Sequence, residues 1–273
     1  MKKLLLISFS AVLLLSACSF GSSSSNKKEV KFGELMNNGK KVSFILKNKD
    51  EETAPDKDNP IVAYIFTDNG KSTTYDDKNG KYELEDMKDK SRDEILKIAK
   101  KRDKENFKEQ KKDIKVEAEE DYEIDEYNYK ESVKNTGENS SDAKLEKGRF
   151  DDSKKAYNDL KKLKYTEPKE RKLKIGIIED GTGNNTEKER FYAFPRYFDF
   201  DLNKFVTDTK KINHYMYEMD EANKNITVYD DKYAYLSSSE TGSNGYYLAT
   251  KVGKKSEKSA LDEPDSKYVK RED

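Results

Sequence analysis

Residues 61–75, IVAYIFTDNGKSTTY, carry the clearest structural signal in this chain. Two segments of β-branched and aromatic residues flank the turn Asp68-Asn69-Gly70. An Asn-Gly pair between such segments favours a tight hairpin, because both central residues tolerate a positive φ. The stretch therefore predicts an antiparallel β-hairpin.

The sequence on either side of this hairpin predicts two more strands and a helix. On the N-terminal side, residues 29–47 predict two short strands with a turn at Asn37-Asn38-Gly39, and the clearer strand covers residues 41–46. On the C-terminal side, Ser91 and Glu94 have the spacing of a capping box, in which the serine caps a backbone N–H and the glutamate reaches back to the cap residue. The apolar positions that follow predict a helix from there to about residue 111.

The rest of the chain predicts further strands and one short helix. Residues 114–133 alternate loosely between apolar and polar side chains, which predicts one or two strands. Apolar residues at helical spacing predict a helix over 153–163, and residues 212–219 and 226–236 are expected to form the two arms of one hairpin. The strands predicted after this helix are 173–178, 190–200, 212–219, 226–236 and 245–252, with a Gly/Asn turn at 180–185.

Together these elements predict an α+β protein with mainly antiparallel β-sheet and two or three helices. A repeated motif, TTYDDK at 73–78 and TVYDDK at 227–232, leaves two interpretations open. Either the chain contains two related β-rich units, or this composition ends strands in the same way twice. The expected organisation is a signal peptide at 1–17, a lipidated cysteine and flexible tether at 18–28, a β-rich α+β unit at 29–133, a linker or long loop at 134–150, a tyrosine-rich β unit at 151–253 and a disordered polar tail at 254–273.

The N-terminus has the pattern of an export signal. Lys2 and Lys3 precede a mostly apolar run over residues 4–15, which is too short to cross a bilayer as a helix. The run ends in Leu15-Ser16-Ala17-Cys18. This resembles the lipobox of bacterial lipoproteins, and the resemblance covers the first eighteen residues.

The lipobox resemblance implies that the sulfur of Cys18 receives a diacylglycerol and that cleavage follows between Ala17 and Cys18. Two acyl chains hold a protein stably on a membrane, whereas one holds it marginally. We therefore expect a lipid-anchored protein on the extracytoplasmic face of the cell membrane. The alternative is an ordinary secretory signal with an incidental cysteine.

Composition excludes some classes of partner. Charged residues make up 40% of the chain, which places it near the border of disorder, but 18 Tyr and 12 Phe recur in alternating patterns and favour a folded body. Removal of residues 1–17 takes away two lysines and changes the formal charge from −1 to −3. Because acidic residues lie between the lysines, no basic stripe for nucleic acid is expected.

The sequence lacks the residues of common active sites. His214 is the only histidine and Cys18 the only cysteine, so no Ser-His-Asp or Cys-His centre and no zinc site is expected. The Gly-containing segment 180–185 lacks a phosphate-loop pattern and is interpreted as a hairpin turn. Asp76-Asp77-Lys78 does not fit a calcium loop, because Lys78 stands where a ligand is needed. We therefore expect no catalytic residue, no metal and no cofactor, and the protein is not expected to be an enzyme.

An aromatic segment is the remaining clue to function. Aromatic residues and arginine are enriched in protein interfaces, although packing in the core is the competing interpretation. The candidate interface residues are Tyr192, Phe194, Arg196, Tyr197 and Phe198.

The lipobox, the serine-rich tether and the composition together resemble the uncharacterised surface lipoproteins of staphylococci and related Gram-positive bacteria. The expected function is a protein-binding or protective, immunity-like module at the cell envelope, since some surface lipoproteins protect their producer from its own toxins. The alternatives are a solute-binding lipoprotein and, less favoured, an enzyme that uses carboxylates alone.

Overall fold

The computed structural model of the chain describes residues 23–49, 54–193, 197–199, 204–206, 215–238 and 245–272. The helices are α1 (Phe32–Asn37), α2 (Arg92–Thr136) and α3 (Ser141–Lys162), with short 3-10 helices at Ser23–Asn26 and Leu84–Met87. The first eight strands in chain order are β1 (Glu29–Lys31), β2 (Lys40–Lys47), β3 (Ile61–Asp68), β4 (Lys71–Asp76), β5 (Arg171–Lys172), β6 (Ile175–Glu179), β7 (Thr186–Ala193) and β8 (Tyr197–Asp199). The others are β9 (Lys204–Val206), β10 (Tyr215–Met219), β11 (Glu221–Ala222), β12 (Ile226–Val228), β13 (Asp231–Ser237), β14 (Tyr246–Val252), β15 (Lys258–Ala260) and β16 (Lys270–Arg271).

The hairpin predicted at 61–75 forms the centre of the main sheet. Asn69 and Gly70 have φ angles of 47° and 80°, so the Asn-Gly turn adopts the left-handed backbone that its residues permit. The strand order is β11-β13-β14-β2-β3-β4-β5, with β12 also paired to β13, and every pair in this sheet is antiparallel. The predicted α+β class is therefore confirmed, with three α-helices in the described part of the chain.

A second sheet has the order β10-β7-β6-β16. Its pairs are antiparallel except β6 with β16, which is parallel. The turn predicted at 180–185 connects β6 to β7, and Asp180 organises it by accepting hydrogen bonds from Thr182 and Asn185. Two further pairs stand apart, a parallel one of β1 with β15 and an antiparallel one of β8 with β9.

The main sheet is the middle of three layers. One of its faces contributes Ile45 and Leu248 to a core that also contains Phe32 of α1 and Phe191 of the second sheet. Its other face contributes apolar and aromatic side chains to a core with the first turns of α2. Both faces are buried because successive side chains of a strand point to opposite sides of the sheet.

A buried ion pair fixes α2 to the end of β4. The guanidinium of Arg102 donates two hydrogen bonds to the Asp77 carboxylate, at 3.0 and 2.8 Å, and neither side chain is more than 3% exposed. Arg102 also pairs with Glu105 at 2.5 Å. Because the carboxylate and the guanidinium are both removed from water, each depends on the other for its hydrogen bonds.

The strands predicted at 114–133 are wrong, because α2 continues as a helix to Thr136. The predicted capping box of Ser91 and Glu94 does begin this helix. No Gly or Pro interrupts residues 92–136, and Ile114 and Ala118 are separated by one helical turn and buried together. The loose alternation was therefore part of a helical pattern.

The loop predicted at 134–150 is mostly helical. Gly137, with φ of 83°, ends α2, and Ser140 caps α3 by accepting a hydrogen bond from the Ala143 N–H at 3.1 Å. The helix predicted at 153–163, which is α3, therefore starts twelve residues earlier than predicted, at Ser141. The prediction missed a serine cap that the sequence shows at residue 140.

The hairpin predicted between 212–219 and 226–236 does not form. β10 pairs instead with β7 of the second sheet, while β13 pairs with β12 and β14. Strand pairing depends on distant partners that local sequence does not reveal. The repeated motif also differs in structure, because 73–78 lies at the end of β4 whereas 227–232 spans the turn from β12 to β13.

Both ends of the described chain are more ordered than predicted. Ser24 and Ser25, in the predicted tether, are buried, and β1 pairs with β15 of the predicted disordered tail. In that tail Asp262 accepts a hydrogen bond from the Gly33 N–H at 2.5 Å. A Cβ at Gly33 would lie 2.7 Å from the Asp262 oxygens, so this contact requires glycine.

Asp262 also meets a second buried carboxyl group, that of Glu189 in β7. The Glu189 carboxyl accepts a hydrogen bond from the Asp262 N–H, which brings the two buried carboxyl groups close together. Burial, and then the Asp262 carboxylate, raise the pKa of Glu189 well above its usual range. The hydrogen bond from the Asp262 N–H to Glu189 joins the C-terminal segment to the second sheet.

Replacement of Arg102 by Met should lower the free energy of unfolding by about 3–5 kcal/mol, because it leaves the Asp77 carboxylate buried without its partner. Urea denaturation measures this difference. Arg149 is the matched control, since it pairs with Glu146 but is 59% exposed. Arg149→Met should cost less than about 1 kcal/mol, and an equal loss in the two variants would contradict the role given to Arg102.

Glu189→Gln should remove a pH dependence from stability. Because the folded-state pKa of Glu189 is raised, its stabilising contribution is complete below the unfolded-state pKa and is lost as the pH rises through the folded-state value. Glutamine keeps an oxygen acceptor for the Asp262 N–H without titrating. With rising pH, urea midpoints should therefore fall faster for the wild type than for Glu189→Gln.

The control for this experiment is Glu187→Gln, at an exposed position two residues away on the same strand. Its midpoints should follow those of the wild type. Parallel curves for the wild type and Glu189→Gln would contradict the raised pKa of Glu189.

Candidate functional site

The structure tests the predicted aromatic interface at one side chain only. Tyr192 lies on β7, half-buried, with its hydroxyl donating to Glu272 and the Lys174 ammonium 3.6 Å from its ring centre. Lys174 pairs with Glu272 at 2.9 Å, so these contacts join Tyr192 to the C-terminal segment. Of the other predicted residues, Phe194 and Arg196 lie outside the described residues, and for Tyr197 and Phe198 only the backbone of β8 is described.

The predicted lipidation site also lies outside the described residues. Ala17 and Cys18 precede the first described position, residue 23, and His214 is not described either. Within the described ranges, the helices contain no apolar stretch of the length and composition that would span a bilayer.

A group of carboxylates lies at the surface near the 3-10 helix Leu84–Met87. Oxygens of Asp58, Glu83 and Glu85 all lie within 4.8 Å of one another. Two lysines already pair with this group, Lys57 with Asp58 and Lys49 with Glu83, each at 2.8 Å. Lys57 also lies 3.7 Å from Glu85, so a lysine of the protein itself contacts each of the three carboxylates.

A second set of acids lies where α2 meets β4. Asp103 accepts hydrogen bonds from the Asp76 N–H at 3.1 Å and from the Tyr165 hydroxyl at 2.8 Å. Burial, and then the neighbouring Asp103 carboxylate, raise the pKa of Asp76 to about 7. Asn106 donates to the Asp76 carboxyl at 2.8 Å. Each of these groups therefore has a contact that holds the helix, the strand and the segment after α3 together.

A cavity of about 310 Å³ opens beside the end of β2. Its volume is at the lower end of the range for small-molecule sites. Its lining mixes three lysines and two amides with apolar groups and contains no acid for proton transfer. The lining residues are Lys47, Asn48, Lys49, Pro60, Val62, Lys78, Asn79 and Gly80.

The outer parts of α2 and α3 pack against each other and expose large apolar side chains to solvent. Only the first turns of α2 contribute to the core beneath the main sheet. Beyond them, α2 packs against α3 through Ile114, Ala118 and Leu160. Tyr122 extends this contact by stacking on Phe150, with ring centres 5.6 Å apart.

Further aromatic contacts continue the packing toward the end of the helical pair. Tyr122 also stacks on Tyr157 at 5.7 Å, and Tyr129 stacks on Phe150 at 5.9 Å. Stacked rings of this kind bury a large area and fix the relative rotation of two helices. The inward side of α2 is therefore fully used by α3.

The opposite side of α2 carries large apolar side chains that face solvent. Val116, Ile124 and Tyr127 are 51%, 57% and 65% exposed. Residues 116, 120, 123 and 127 are separated by three or four positions and lie on one side of the helix, with Ile124 beside them. We call the surface formed by Val116, Glu120, Glu123, Ile124 and Tyr127 the outer face of α2.

The outer face of α2 lies within the most acidic part of the helix. Residues 117–126 contain seven acidic side chains and no basic one. Glu126 pairs with Lys130 at 3.1 Å and Glu119 with Lys115 at 4.0 Å. Glu120 and Glu123 are exposed, and in the part of the chain that the structure describes neither forms an ion pair.

Sequence reasoning missed this surface because it assigned strands to 114–133. In a strand, Val116 and Ile124 would share the sheet face of Ala118, and Tyr127 would lie on the other. The available signal was the absence of Gly and Pro together with the one-turn spacing of Ile114, Ala118 and Tyr122. A helix drawn through those residues would have placed Tyr127 on the outside.

Comparison with known proteins gives no relative from which a role could be transferred. No protein family, no curated protein and no solved structure matches this chain. The functional interpretation therefore depends on the residues described above.

Proposed function

We propose that this chain is a lipoprotein, held through Cys18 on the extracytoplasmic face of a cell membrane, whose folded body binds another protein. The observation that carries the binding role is the exposure of Ile124 and Tyr127, 57% and 65%, on a helix whose inward side is already packed. Isolated apolar residues are common on protein surfaces. Here three exposed apolar residues, Val116, Ile124 and Tyr127, lie on one face of a projecting helix, which favours contact with a partner.

The anchoring part of the proposal is supported by the N-terminal sequence. Two lysines, a short apolar run and Leu15-Ser16-Ala17-Cys18 occur in the order of a lipoprotein signal. The first described residue, residue 23, follows Cys18 by five positions in the sequence. A body attached in this way would meet its partner at the envelope.

The binding role agrees better with the geometry than the two alternatives. Solute-binding lipoproteins usually have two lobes with parallel βαβ units, whereas the main sheet here is antiparallel throughout. For an enzyme using carboxylates, the buried acids would have to be available to a substrate. Glu189 instead accepts a hydrogen bond from the Asp262 N–H, and the Asp262 carboxylate accepts one from the Gly33 N–H.

Photo-crosslinking in the cells that produce this protein tests the proposal. A photoreactive phenylalanine derivative is placed at Tyr127 in the full chain, and the matched control carries it at Glu187, an exposed position on β7. We expect discrete protein adducts from position 127 that are absent from position 187, because only position 127 lies on the proposed contact surface.

The same cells test the anchor. Wild-type chain should incorporate a fatty acid label, and Cys18→Ser should not. Equal crosslinking from positions 127 and 187, or adducts with lipid alone, would contradict the binding role. A wild-type chain without lipid would contradict the anchor.

A further inference from the structure

We infer that the partner presents a basic, amphipathic surface, with lysine or arginine side chains on both sides of an apolar strip, and that it binds along the outer face of α2. This inference rests on the proposed function and names the chemistry of the partner. It follows from the shape and the charge of that face and from its two acids that form no ion pair within the described residues.

The outer face of α2 has the dimensions of a small helical or extended contact. From Val116 to Tyr127 the helix rises by about 16 Å, at 1.5 Å per residue. The two ends of this distance are marked by exposed apolar side chains, and Ile124 adds a third near one end. Such side chains can act as the anchors that lose their water on binding.

The acidic side chains around these anchors determine which partners fit. Glu120 and Glu123 lie between Val116 and Tyr127 on the same side of the helix, and Glu117 and Asp121 are exposed beside them. Like charges brought together at an interface oppose binding, while opposite charges raise the rate of association and fix the register. A partner with lysine or arginine at these positions satisfies both requirements.

The same charges argue against a second copy of this chain as the occupant. A symmetric dimer brings the same surface of two molecules together. Glu120 and Glu123 of one copy would then face the acids of the other, in a helix segment with no basic residue from 117 to 126. An anionic membrane surface is disfavoured for the same reason.

The test uses two synthetic helical peptides with leucines at identical positions, one with lysine and one with glutamate at every polar position. The full lipidated chain is held in nanodiscs of zwitterionic lipid, and empty nanodiscs give the blank. Fluorescence anisotropy measures binding. We expect the lysine peptide to bind at least about tenfold more tightly than the glutamate peptide, and its affinity to fall with added salt.

Variants locate the binding on the outer face of α2. Glu120→Lys combined with Glu123→Lys should weaken the lysine peptide about tenfold or more, and Tyr127→Ala should weaken it as well. Glu187→Lys is the control for charge. Leu145→Ser is the control for apolar surface, because Leu145 is 59% exposed and lies on α3, outside the outer face of α2. Neither control should change the affinity, and circular dichroism should show unchanged helix content in all variants.

Several outcomes would overturn the inference. These are equal binding of the two peptides, equal weakening by the controls, or self-association of the chain that is lost in Tyr127→Ala, which would make a second copy the occupant. If the lysine peptide fails to bind while crosslinking from position 127 persists in cells, the proposed function stands and the basic partner is excluded. If both fail, the proposed function falls with it.

Discussion

The pairing of Arg102 with Asp77 is the interaction on which the arrangement of this molecule depends. It lies where α2 crosses the end of β4, and both groups are almost completely buried. A charge in that position is tolerated only with its partner, so the helix cannot slide or rotate along the strand without large loss of stability. Asp103 and Asn106 on the same helix add hydrogen bonds to Asp76 that fix the same contact.

The contact of Arg102 with Asp77 fixes α2 where the helix lies near the main sheet. The helix has 45 residues and would be about 68 Å long, which exceeds what the main sheet can cover. Its outer half is stabilised by α3 alone, through a small apolar cluster and the stacked rings of Tyr122, Tyr129, Phe150 and Tyr157. One side of α2 is thereby left without a partner within the described structure, and that side contains Ile124 and Tyr127.

Local signals in the sequence predicted the local parts of the fold. The Asn69-Gly70 turn and the capping box of Ser91 and Glu94 both form as expected, because each depends on residues close in sequence. The pairing of β10 with β7 and of β1 with β15 could not be predicted in this way. Those partners are chosen by the shared core around Phe32, Phe191 and Met219, which exists only in the folded chain.

The candidate site was predictable to a smaller extent. Sequence reasoning selected aromatic residues around 192–198 for their composition, and the one side chain described there, Tyr192, is joined to Lys174 and Glu272. The outer face of α2 is recognisable only once residues 114–133 are known to be helical, because exposure depends on which side α3 covers. The lipid anchor is proposed from the first eighteen residues, where each element of the signal follows the last in sequence.

The central claim is that the buried Arg102–Asp77 contact holds the outer half of α2 and α3 in one fixed position. The outer face of α2 is then a stable surface. Two spin labels test this claim, one at Asn128→Cys and one at Glu187→Cys, in a Cys18→Ser chain that contains no other cysteine. The quantity measured is the distribution of distances between the two labels. A single narrow distribution, broadened when Arg102→Met is added, is the predicted result. A broad distribution in the chain with Arg102 intact would contradict the account, because the outer face of α2 would then have no fixed place in the molecule.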